Sequence, residues 1–136
     1  MPPAELRPGT PEHWMARAKG HLSMARQPKP SGVFWEDLAF HAQQAAELAI
    51  KAVYQLHNTP FPFTHDLERL ASGLRAMNIE PPETIRQALQ LTRYAVRTRY
   101  PGLAPPVSEH EFAEALRQAE AVLAWAEGIT KEKSEP

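Results

Sequence analysis

The chain has 136 residues, 43% of them hydrophobic and 23% charged, with a formal net charge of −1 and no cysteine. That length suits one domain with one hydrophobic core, and the ordinary composition excludes a wholly disordered or fibrous chain. The near-neutral balance excludes a global field pulling the protein onto nucleic acid or an anionic membrane, and the missing cysteines exclude disulfides, thiolate nucleophiles and cysteine-ligated metal centres.

The N-terminus, Met1-Pro2-Pro3-Ala4-Glu5, lacks the charged and apolar regions of a secretory signal. No stretch approaches the roughly 20 apolar residues of a membrane span, so the expectation is a cytoplasmic protein without a membrane partner. The 14 prolines fall in clusters, and because proline breaks helix interiors these clusters punctuate the chain. Residues 1–9 read as a flexible arm, 10–129 as a helical bundle and 130–136 as a disordered tail.

Within the bundle, the first helix is predicted over about Pro11 to Arg26, with Thr10 as N-cap and Pro11 at the first helical position. Trp14, Ala18, Leu22 and Ala25 form its inward stripe. The second, longest helix runs from about Gly32 to His57, with Trp35, Leu38, Ala42, Ala45, Ala49, Ala52 and Leu56 at helical spacing. Its alanines permit close approach by another helix.

After the loop Asn58-Thr59-Pro60-Phe61-Pro62-Phe63, Thr64 or His65 should cap a short third helix carrying Leu67, Leu70 and Leu74 and stopping near Asn78. Pro81-Pro82 should start a fourth, running through Ile85, Leu89 and Val96 to about Tyr100. Ser108 and Glu111 stand in capping-box spacing for the fifth, which buries Phe112, Ala115, Leu116, Ala119, Val122, Leu123 and Ala126. No strand-like alternation persists. The fold class is all-α, an up-and-down antiparallel bundle of four main helices plus a short extra one.

The run Phe40-His41-Ala42-Gln43-Gln44-Ala45-Ala46-Glu47-Leu48-Ala49-Ile50-Lys51-Ala52, followed by His65-Asp66-Leu67, Tyr94 and Arg99-Tyr100-Pro101 and preceded by Trp14, resembles the HEPN family across nearly the whole chain. The resemblance implies a helical bundle, frequently a homodimer, often encoded beside a minimal nucleotidyltransferase. It also implies one of three roles: nucleotide-binding module, partner in a toxin–antitoxin pair, or metal-independent ribonuclease.

Gln43, Glu47 and Lys51 fall at i, i+4 and i+8, on one face opposite many of the alanines. Two readings fit: a solvated salt-bridged face, or a polar row in an interhelical groove where Lys51 meets phosphate and Gln44 or Gln43 contacts a base, ribose or partner. Arg86, Arg93 and Arg97 share a face of the predicted fourth helix, with Arg99 and Tyr100 just beyond. Arginine clusters clamp phosphates, and Tyr94 and Tyr100 offer stacking surfaces; the alternative is ordinary stabilisation of a helix C-terminus. The candidate ligand set is therefore Gln44, Glu47, Lys51, Arg93, Arg97, Arg99 and Tyr100.

His65-Asp66 fits an acid–base pair, but a helix cap explains the same letters more simply. The other histidines show no metal-ligand spacing, and no metal or cofactor motif is present. Ribonuclease members of the family carry an arginine followed four to six residues later by a histidine. After Arg93, Arg97 or Arg99 the next histidine is His110, too far along. The expectation is thus a noncatalytic nucleotide-binding subunit acting with a separately encoded nucleotidyltransferase. The alternative is a ribonuclease toxin with a degenerate site built on Arg99 and His65.

Overall fold

The computed structural model describes residues 7–97 and 105–134, and among these every regular element is helical. Three long helices, α1 (Pro11–Ala25), α2 (Trp35–Leu56) and α6 (Glu109–Ser134), are joined by the short α3 (Leu67–Gly73), α4 (Glu83–Ala88) and α5 (Arg93–Arg97). The expected all-α up-and-down bundle holds. Helix α6 continues to Ser134, past the point where residues 130–136 read as tail.

Local chemistry sets the ends. The Thr10 side chain accepts the His13 N–H at 3.2 Å, and Pro11 follows at the first helical position, where its missing N–H costs nothing. At α6, Ser108 Oγ accepts the Glu111 N–H at 3.0 Å. Helix α3 is capped by Asp66, whose Oδ1 accepts the Glu68 N–H at 2.9 Å, rather than by Thr64 or His65. Thr64, two residues back, accepts the Asp66 N–H. Asn78 closes the 3₁₀ turn Leu74–Met77 in the left-handed region at φ 61°, which its short polar side chain tolerates.

The predicted fourth helix is not continuous. A 3₁₀ turn at Leu89–Thr92 separates α4 from α5. No proline or glycine marks the break; it coincides with a tertiary tie, Thr92 Oγ1 accepting the Leu67 N–H at 3.0 Å. An i→i+3 turn rotates the following residues off the α-helical register, so Arg86 and Arg93 do not share one stripe.

Helix α2 is the centre, packed chiefly against α1 and α6. Its Ala39, Ala42, Ala45, Ala46, Ala49 and Ala52 have no solvent exposure, so neighbouring backbones approach closely on more than one side. Arg26 pairs with Glu120, and Lys19 with Glu127, which runs α1 antiparallel to α6. Trp35 stacks on Phe112 with ring centroids 5.2 Å apart, bringing the starts of α2 and α6 together. Leu67, Leu70, Leu74, Ile85 and Leu91 complete the core from the short helices and turns.

Candidate functional site

The polar row of α2 is buried. Gln43, Glu47 and Lys51 are 0%, 2% and 8% exposed, which overturns the solvated-face reading. Gln44 is half-buried. Because i and i+4 side chains lie one above the other on a helix, Gln43 Nε2 donates to Glu47 Oε1 at 2.9 Å and Lys51 Nζ donates to Oε2 at 2.8 Å. The Lys51 ammonium also lies 4.9 Å from the centroid of the Phe61 ring.

His65 supplies the third partner. Its Nδ1 is 3.0 Å from Glu47 Oε1 and 3.2 Å from Oε2, while more than half of the His65 side chain stays in solvent. Burial alone would raise the Glu47 pKa, but hydrogen bonds from Lys51, His65 and Gln43 outweigh it and hold the carboxyl below its ordinary value. An ionised carboxylate only accepts, so His65 carries its proton on Nδ1, and in the neutral ring Nε2 is left as the basic atom. Asp66, the sequence neighbour proposed to orient the imidazole, is occupied as the α3 cap; Glu47, 18 residues away, does the orienting.

Arg93 occupies a separate set of contacts. Its guanidinium lies 5.1 Å from the Tyr94 ring centroid, and its Nη2 is 3.1 Å from the Tyr94 hydroxyl and 3.4 Å from Glu111 Oε2. Tyr94 is buried, donating its hydroxyl to Glu111 Oε2 at 2.7 Å, so it anchors α5 to α6 instead of offering a stacking face. Arg86 pairs with Glu80 and Glu83. Arg97 ends α5, while Arg99 and Tyr100 lie outside the described residues. No described contact joins Lys51 to Arg93; Lys51 is committed to Glu47, and Arg93 is the half-exposed cation of the pair.

One pairing escaped the sequence altogether. His21 of α1 and His41 of α2 stack with centroids 5.2 Å apart and Nδ1 atoms 3.0 Å apart. One nitrogen must donate and the other accept, so at least one ring is neutral. Desolvation by burial, then mutual repulsion and Arg17, lower the His21 pKa, with Glu47 opposing; desolvation lowers that of His41 against the pull of Asp37. Among the described residues no group of three or more His, Cys, Asp or Glu side chains could hold a metal ion. A cleft of about 280 Å³ between the start of α1 and the end of α6, lined by Met15, Lys19, Leu56 and Glu127, contains none of the expected site residues.

Among the described residues no helix is long and apolar enough to cross a membrane. No curated protein matches the sequence. The crystal structure of an archaeal HEPN homologue superposes with a TM-score of 0.69 at 27% identity, covering 88% of this chain and 96% of that one. The model of the HEPN domain matches residues 11–129, the whole span from the first helical turn of α1 to the last turns of α6. The chain belongs to the HEPN domain family.

Proposed function

We propose that this HEPN chain is a noncatalytic nucleotide-binding and interaction module, working in the cytoplasm beside a separately encoded minimal nucleotidyltransferase as a toxin–antitoxin component and as a homodimer. The observation that carries the binding role is the half-exposed Arg93 guanidinium, held over Tyr94 at the edge of a cleft between α5 and α6. A guanidinium fixed by one carboxylate keeps donors in its fork for a phosphate. Lys51 acts from within, holding Glu47 in place. The missing histidine after Arg93, Arg97 and Arg99 favours binding without cleavage.

A second reading, a metal-independent ribonuclease, is favoured by one observation: the Glu47–His65 pair leaves Nε2 of a solvent-facing imidazole as a base. Incubating the purified chain with structured RNA in EDTA separates the two. Thermal stabilisation by nucleotide that is lost in Arg93→Ala, with intact RNA, supports the binding module. Cleavage abolished by His65→Asn establishes the ribonuclease instead. Light scattering tests the dimer, and co-expression with a minimal nucleotidyltransferase tests the pairing.

A further inference from the structure

We infer that His21 and His41, together with the thioether of Met24, form a binding site for copper(I) where α1 hands over to α2. None of the three belongs to the nucleotide site proposed above, so the two assignments stand or fall separately.

The two imidazoles come from different helices, and their Nδ1 atoms lie 3.0 Å apart. Imidazole nitrogens that share one transition-metal ion sit about 2.0–2.1 Å from it, which places them about 3.3 Å from each other at a tetrahedral angle. The rings need to part by only a few tenths of an ångström. At present one Nδ1–H donates to the lone pair of the other ring. Moving that proton to Nε2 of its own ring turns both lone pairs over to a cation, with no proton released. Both rings are half-buried, and His41 also lines an open cleft of about 270 Å³, so an ion reaches it from solvent.

The third donor decides the metal. Met24 follows His21 by one helical turn on α1, is 43% exposed, and lines the same cleft as His41. A thioether beside neutral imidazoles selects copper(I), whereas magnesium and calcium require oxygen ligands. Zinc is served poorly: among the described residues no third His, Cys, Asp or Glu completes a tetrahedral set with the pair. Asp37, on the wall of the cleft, has its Oδ2 committed to the Phe34 N–H and contributes charge rather than a ligand. Near His21 the cation Arg17 is opposed by Glu47.

Calorimetric titration of the full chain with silver(I), an air-stable stand-in for copper(I), in chloride-free buffer tests the site. One equivalent should bind and raise Tm, because the ion is held by the folded pair and not by separated helices. His41→Phe should abolish that equivalent, and Met24→Leu should weaken it by about tenfold or more while leaving zinc affinity unchanged. His110→Asn, on the far side of the sequence from the pair, should change nothing. Should His41→Phe fail to fold by circular dichroism, Met24→Leu at its exposed position carries the test. No stoichiometric binding, binding that survives His41→Phe, or equal loss in His110→Asn overturns the site. Silver affinity unaltered by Met24→Leu overturns the copper(I) assignment.

Discussion

Replacing Lys51 with methionine tests whether the buried row of α2 is an ion pair held by its surroundings. The substitution keeps the length and apolar stem but removes the ammonium that donates to Glu47 Oε2 at 2.8 Å, leaving a carboxylate 2% exposed. Removing one partner of a buried pair costs about 3–5 kcal/mol, because the other charge stays behind unpaired. Gln43 and His65 still donate to Glu47, so the lower end applies, about 3 kcal/mol. For a chain of 136 residues that is a loss of roughly 10 °C in Tm. Glu47→Leu should cost about 2 kcal/mol, since the Lys51 side chain, 10% exposed, has a route by which its ammonium reaches water. The double variant, with both charges gone, should lie within about 1 kcal/mol of the parent. Urea denaturation of the four proteins, followed by far-UV circular dichroism at pH 7, closes the cycle. Losses in the double variant equal to the sum of the singles would show that the two groups do not depend on each other, and the reasoning would fall.

Other perturbations follow from the same geometry. Stability should fall with pH in two windows. His21 and His41 have folded pKa values below the ordinary 6.5, so their contribution is full above that pH and is lost as pH falls toward and through the lowered values. Glu47, lowered from 4.5, adds a further loss only at more acid pH; denaturation of His41→Phe across pH 4–8 should show a smaller upper loss, the part left to His21, whose lowering by burial remains. A Cβ on Gly73 would collide with the Tyr54 hydroxyl, which donates to the Leu70 carbonyl at 2.6 Å. Gly73→Ala should therefore cost about 2 kcal/mol in thermal denaturation but much less in a Tyr54→Phe background. Asp66→Ala should remove the α3 cap for about 1 kcal/mol by chemical denaturation and leave nucleotide affinity unaltered.

What could be read from the letters was what depends on near neighbours. Thr10-Pro11, the Ser108–Glu111 spacing, the Asn78 stop and the alanine face of α2 each act within one or two turns, and each appears in the fold as expected. The break at Leu89–Thr92 was hidden because the bond that accompanies it comes from Leu67, 25 residues earlier. Glu47 was visible as part of a polar row, but spacing alone says only which residues share a face, not what that face meets; His65 and Phe61 arrive from a loop to cover it. His21 and His41 are drawn together only by the pairing of α1 with α2, and nothing in either local pattern announces it.

The methyl-only face of α2 carries a cost in adaptability. With Ala39, Ala42, Ala45, Ala46, Ala49 and Ala52 all fully enclosed, an added methylene at any of them enters space that is already filled. Enlarging any of them to valine pushes a whole helix rather than a side chain. Glycine and serine should therefore be the substitutions best tolerated at these alanines, while partly buried positions such as Leu89, Leu116 and Ile129 should accept exchange among leucine, isoleucine and methionine.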